Sequence, residues 1–253
     1  MNIYIGKITF EDAGNSGGGE ITAPCYITET LEGYSDSYNA ISMSLVTTNE
    51  EIKYTNQLYS EWDSATTSAS GLCYNNTQLV YAPAIDTNNV TTMHSMFRGC
   101  TQLKYVPYYN TSNVTNMNSM FYECSGLTSL NLINWDVSKV TNITSMFAYC
   151  KSLTSLDLSG WNMSKARSNT SIFSNCTSLI NLYMDGATLP NVSLKYLGLD
   201  TCTALSVDSL VSILNALPTT TNSSYGLKIG ATNLTKLSDE QVAIGTNKGW
   251  TIE

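Results

Sequence analysis

From Ser138 to Trp161 the chain reads S-K-V-T-N-I-T-S-M-F-A-Y-C-K-S-L-T-S-L-D-L-S-G-W, and its apolar positions change period halfway. Ile143, Met146, Phe147 and Cys150 follow i, i+3, i+4, i+7, the spacing of one helical face, and predict a helical segment. Thr141 or Ser138 can cap its start by accepting backbone N–H bonds. Leu153, Leu156 and Leu158 then follow L-x-x-L-x-L, with the last two alternating as in a short strand. Ser159-Gly160 turns the chain toward the next unit.

The frame recurs at Met117, Met120, Phe121, Cys124 and Leu127, and at Met93, Met96, Phe97, Cys100 and Leu103. A fourth copy carries Thr170, Ile172, Phe173, Cys176 and Leu179. Worn copies flank these. The earlier one holds Ala69, Leu72, Cys73, Asn76 and Leu79, with Cys73 at the Phe position, and the later one holds Leu197, Leu199, Cys202 and Leu205. Cys100, Cys124, Cys150, Cys176 and Cys202 are spaced 24, 26, 26 and 26 residues apart. A fixed period of this length predicts stacked units rather than one globular core. The fold expected is an α/β solenoid, a leucine-rich-repeat-like right-handed coil stack of about six coils, with one short strand and one helical segment per coil.

The ends differ from the repeat. Residues 1–33 open with alternation in Met1 to Phe10 and continue through the Gly-rich Gly14 to Gly19, which reads as an attachment segment. Residues 34–68 read as an N-terminal cap, with a strand over Ala40 to Val46 and a helix over Glu50 to Trp62. The solenoid covers 69–208 and a C-terminal cap covers 209–253. In that cap, Val207 to Ala216 predicts a helix ended near Pro218, Leu227 to Ile229 a strand, Asp239 to Asn247 a helix capped by Ser238, and Trp250 to Ile252 a last strand.

Composition narrows the function. Of 253 residues, 42% are hydrophobic, enough for a continuous core, and only 13% are charged, with Asn, Ser and Thr filling the polar positions. The net charge of −8 and the lack of a basic patch argue against nucleic acid. No stretch reaches the roughly 18 apolar residues of a membrane span. Neither a CxxC nor a second histidine beside His94 is present, so no metal site and no cofactor is expected. Equivalent thiols on paired coils would lie about 4.8 Å apart, too far for the Cβ spacing of a disulfide. The five cysteines of the ruler are therefore expected to be a reduced, buried ladder.

Catalysis is not expected either. His94 lies off the apolar face with no nucleophile directed at it. Asp157 faces outward between two inward leucines, Asp136 suits a turn, and no pair of acids is set across a cleft. The strand faces supply the one candidate site. Outward positions on successive coils are Tyr81 with Pro83, Tyr105 with Pro107, Ser129 with Asn131, Ser155 with Asp157, and Asn181 with Tyr183. Tyrosines among small polar groups could stack on sugar rings or anchor a protein. Tyr108, Tyr109, Trp135 and Trp161 lie just past these strands.

The string M-F-x-x-C-x-x-L-x-x-L-x-L-S-x-W-x-x-S-x-V-T-x-M resembles the BspA-like leucine-rich repeat of bacterial surface proteins. Met146-Phe147, Cys150, Leu153, Leu156, Asp157-Leu158-Ser159 and Trp161 carry the match, which covers about residues 65–208. The resemblance implies a curved solenoid and a role in adhesion and surface recognition. The run from Ser209-Leu210 to Thr251 resembles the closing segment of similar repeat proteins in gut Bacteroidetes and their phages. Met1 to Phe10 lacks a charged start followed by a long apolar run, so a secretory leader is not expected. A virion component (fibre, tail or head decoration) is then expected, contacting other virion proteins through the N-terminal segment and a host-surface glycan or protein through the repeats. The alternative is a bacterial cell-surface adhesin of the BspA-like type. A homo-oligomer is compatible with either role, although no heptad seam is present.

Overall fold

The structure is a computed structural model, which describes residues 63, 65–83, 85–190 and 197–253. The expected attachment segment 1–33 and nearly all of the expected cap 34–68 lie outside the described residues.

The described chain begins as a stack of coils held by backbone hydrogen bonds. An unbroken column of parallel bridges joins Ser68, Thr92, Asn116, Asn142 and Ser168, one per coil. Threonine reinforces it. The hydroxyls of Thr91, Thr115 and Thr141 donate to the carbonyls of Thr67, Thr91 and Thr115 at 3.1, 3.2 and 3.2 Å. Asn116 and Asn142 turn their side-chain oxygens onto the N–H two residues on, each at 3.0 Å, the Asx turn that favours Asn here.

The segment expected to be helical is not a helix. From Met93 to Cys100 the backbone makes successive turns, with Ser95 at φ 54° and Gly99 at φ 76°. The same pair of left-handed positions recurs at Ser119 and Glu123, Ser145 and Tyr149, and Ser171 and Asn175. An α-helix cannot pass through such residues. The gain is hydrogen bonding between coils. The N–H groups of Met93, Ser95, Phe97 and Gly99 donate to carbonyls of the next coil at 2.8–2.9 Å, while those of Met96, Arg98 and Cys100 close turns onto residues three earlier. Every second donor is thus spent across the stack, which an isolated helix would keep to itself. The apolar spacing still holds for burial, since Met93, Met96, Phe97 and Cys100 are all buried.

Inside, each repeat position forms its own row. Phe97, Phe121, Phe147 and Phe173 stack with centroids 5.6, 5.9 and 6.1 Å apart and planes within 14° of parallel. The cysteine row is buried, with every thiol of it free. Its thiols also donate. Cys124, Cys150, Cys176 and Cys202 reach the carbonyls of Phe97, Phe121, Phe147 and Phe173 at 3.0–3.1 Å. Cys100 reaches Cys73 at 2.9 Å, which confirms Cys73 at the Phe position of the worn first copy.

Strands form on only part of the expected face. β1 (Ser155–Asp157) pairs in parallel with β2 (Asn181–Tyr183), Leu156 opposite Leu182, and Tyr81 bridges Tyr105. Residues 129–131 belong to no strand. The coil from Cys100 to Cys124 is the one two residues short. Among the described residues no bridge joins Tyr105 to Ser129 or Ser129 to Ser155, so the strand column is interrupted at the coil after the shortened one.

The C-terminal cap follows the sequence closely. α1 (Val207–Ala216) starts at Ser206, whose side chain accepts the Ser209 N–H. α1 covers the outer edge of β2. The hydroxyls of Ser209 and Ser212 accept the N–H groups of Leu182 and Met184 at 2.9 and 2.8 Å. An unexpected short α2 (Ala231–Leu234) follows β3 (Gly226–Leu227). Its buried Asn233 amide donates to the carbonyls of Leu199, Cys202 and Ile229, tying the cap to the last coil. α3 (Asp239–Thr246) begins with a full capping box of Ser238 and Gln241. Gly249 at φ 88° turns the chain into β4 (Thr251–Ile252), which pairs in parallel with β3.

Candidate recognition face

The outward row lies where the period-2 strand reading places it. Tyr105, Ser129, Asn131, Asp157 and Tyr183 are exposed, and Tyr81, Ser155 and Asn181 are half-buried. The inward neighbours Leu130, Leu156 and Leu182 are buried, which fixes the direction of the row. Tyr81 and Tyr105 stack with centroids 4.9 Å apart and planes 8° from parallel. Tyr105 keeps 46% of its surface exposed in that stack. Tyr183 is separated from this pair by the Ser129 and Ser155 coils, so the tyrosines make a pair and an outlier rather than one cluster.

Two members of the row are anchored to their own backbone. Asn131 Oδ1 accepts the Ile133 N–H at 3.0 Å and Asp157 Oδ1 accepts the Ser159 N–H at 2.9 Å. These Asx turns serve the exit from each strand and fix both side chains in direction.

Pro83, expected to face outward, is buried instead, and so are three of the four aromatics just past the strands. Tyr109 is wholly buried, donating its hydroxyl to the Pro83 carbonyl at 2.6 Å and lying 6.2 Å from Phe97 and 6.4 Å from Trp135. It takes the place of Trp135 in the shortened coil and carries the aromatic layer through the irregularity. Trp135 and Trp161 are buried as well. Of the aromatics past the strands only Tyr108 is outward, at 62% exposed, with Ile133 at 70% on the next coil. The sequence reading did not single out Ile133. Its signal was a large apolar residue at the turn position that Ser159 fills one coil later.

A second aromatic column lies on the turn side of the coils. The Arg98 guanidinium sits between the rings of Tyr74 and Tyr122, 5.6 and 4.6 Å from their centroids, and Tyr122 lies 5.3 Å from Tyr149. Its cation is already engaged by two rings.

The groups weighed for chemistry have structural surroundings. His94 places Nδ1 3.2 Å from the Asn118 carbonyl. Asp136 accepts the Ser138 N–H at 2.9 Å, and its carboxyl is held below the usual range by the Ser138 hydroxyl and N–H and by Lys139 and Lys165. Burial pushes the Cys100 and Cys150 thiols up to about 12 and raises Cys73 and Cys124 well above the ordinary thiol. Such thiols are poor nucleophiles and poor metal ligands at neutral pH. Among the described residues, no three His, Cys, Asp or Glu side chains gather as metal ligands, and no helix is long and apolar enough to cross a membrane. A hollow of about 10 Å³ lies inside the stack among Met146, Phe147, Met163 and Phe173, with room for at most one water.

Residues 67–184 match the family described as "Mycoplasma protein of unknown function, DUF285". No curated protein matches the chain. Among solved structures, the crystal structure of a leucine rich repeat protein from T. pallidum is 17% identical, with a TM-score of 0.36, and the match covers 64% of this chain and 78% of that one. An internalin from Listeria monocytogenes is 14% identical with a TM-score of 0.23, the match covering 69% of this chain and 59% of the internalin. The coil-to-coil bonding describes a solenoid of stacked coils.

Proposed function

We propose that this protein is a non-enzymatic recognition module that presents the row from Tyr81 to Tyr183 to a host-surface glycan or protein, as a component of a phage virion. The observation that carries the recognition reading is the Tyr81–Tyr105 stack, 4.9 Å between centroids, with Tyr105 46% exposed. A ring held rigid by its neighbour has little conformational freedom left to lose on binding, which favours its use as an anchor. The buried, protonated thiols and the backbone-engaged acids support a role without catalysis. The virion placement rests on the closing segment's likeness to repeat proteins of gut Bacteroidetes and their phages. Other virion proteins would then be met through residues 1–33, and a homo-oligomer remains compatible.

The second reading is a bacterial cell-surface adhesin of the BspA-like type. It is favoured by the M-F-x-x-C-x-x-L-x-x-L-x-L string, repeated within the segment that matches the DUF285 family. Proteomics of purified virions separates the two, since only the first reading places the chain in particles. Binding of the full chain to host cells tests recognition itself. Replacing Tyr81, Tyr105 and Tyr183 with alanine is expected to abolish binding while leaving the fold intact. Unchanged binding by the folded triple variant would reject the row as the site.

A further inference from the structure

The tyrosine stack ends in a step. On the Cys100 coil the outward position is Tyr105, parallel to Tyr81 within 8°. One coil on, the same position is the exposed Ser129, in a stretch outside any strand. A bulky ring is thus followed by a small side chain, which leaves a shelf at the place where a third ring would continue the stack. Beyond the shelf the row is small and polar through Ser155 and Asn181, and it ends at Tyr183, 37% exposed. Tyr183 lies three coils from Tyr105, about 14 Å along the stack at the usual strand spacing, and two residues farther along its strand. Asn131 and Asp157 flank this span, each held in direction by its turn bond.

We propose that the Tyr105–Ser129 step is the anchor subsite for a neutral oligosaccharide, whose first ring stacks on Tyr105 and whose hydroxyls meet Ser129, Asn131, Ser155, Asp157 and Asn181. This rests on the recognition reading above and names its ligand class. Charge selects neutral over anionic sugars. The named row holds one acid, Asp157, and no base, in a chain of net charge −8. A sulfated or carboxylated sugar would be repelled by the Asp157 carboxylate, and Lys104 on the Tyr105 coil already donates to the Gly126 carbonyl at 2.6 Å. A sugar ring offers an apolar face for the phenol and a polar rim for the amides and hydroxyls, the same mixture the row presents.

Titration of the full chain with short neutral hexose oligosaccharides and their sulfated counterparts tests this. The wild type is expected to bind the neutral set, with little dependence on salt, and not the sulfated set. Tyr105→Ala should weaken binding about tenfold or more. Ser129→Tyr should abolish it by filling the shelf, with an unchanged unfolding midpoint, because Ser129 is exposed and the added ring displaces no core side chain. Unaltered sugar binding by Ser129→Tyr, or no binding by any neutral sugar, overturns the proposal. If host-cell binding survives periodate treatment of the cells yet is lost in the triple tyrosine variant, the row recognises protein and the sugar inference fails alone. If cell binding is unchanged in the triple variant, the recognition reading itself fails.

Discussion

The cysteine row shows how one atom type suits a repeat. Cys150 is fully buried and donates to the Phe121 carbonyl at 3.1 Å, a carbonyl that already accepts the Cys124 N–H. Alanine at 150 leaves no orphaned acceptor but loses the thiol contact and opens a small void, costing about 1–2 kcal/mol. Serine keeps a donor in the same place. If the thiol acts through its hydrogen bond, Cys150→Ser is expected to be less destabilised than Cys150→Ala in urea unfolding. The reverse order would reduce the row to plain hydrophobic filling. Burial also links these thiols to pH. Cys100 and Cys150 ionise near 12 when folded, against about 8.5 for an unfolded thiol. The unfolded chain therefore gives up protons first as pH rises. The contribution of these two thiols is constant below about pH 8.5 and falls through the window up to 12, by about 1.4 kcal/mol per pH unit for each. A flat urea midpoint between pH 8 and 11 would contradict this.

At the scale of the element, the turn segment separates what a spacing can say from what it cannot. Met93, Met96, Phe97 and Cys100 point inward in a helix and equally in this succession of turns, so the sequence correctly marked the buried face and misjudged the backbone. The missed signal was the small residue that recurs two before each Phe, Ser95, Ser119, Ser145 and Ser171, each at φ 54–58°. One substitution distinguishes the two backbones. In a helix Ser145→Ala would stabilise and Ser145→Gly would cost about 0.5 kcal/mol. At a left-handed position the order reverses, and Ser145→Gly is expected to raise the unfolding free energy by about 0.5–1 kcal/mol while Ser145→Ala lowers it. Thermal unfolding of the two variants decides. Legibility elsewhere followed locality. The Ser238 cap and the stop at Gly249 were readable because each acts within its own few residues. The strand face was partly readable, since burial of Leu130, Leu156 and Leu182 follows from alternation, whereas the broken pairing at 129–131 leaves no mark on the apolar pattern, which keeps Leu127 and Leu130 at the repeat spacing. The burial of Tyr109, grouped with the exposed Tyr108 just past its strand, depends on coil length. Only the two-residue deficit brings it to the tryptophan position.

At the scale of the molecule, a stack of coils bonds only to its neighbours, so its last strand must be closed or it will recruit another. β2 is that strand. Its outward N–H groups at Leu182 and Met184 are taken by Ser209 and Ser212 of α1, a side-chain substitute for a further coil. Both serines also donate onward, Ser209 to the Ile180 carbonyl and Ser212 to Asp185, at 3.1 Å each. Replacing both with alanine keeps the helix former and removes the acceptors, leaving two buried N–H groups unpaired at about 1–3 kcal/mol each. Below full unfolding, α1 is then expected to detach and bare a parallel edge together with the apolar surface of Leu210, Ile213 and Leu214. The Ser209→Ala/Ser212→Ala variant should unfold at lower urea, and its light scattering in mild urea should rise with protein concentration while the wild type stays clear. Loss of stability without concentration-dependent association would mean that α1 seals the core by its leucines alone, and that the serine pair is incidental to closing the solenoid.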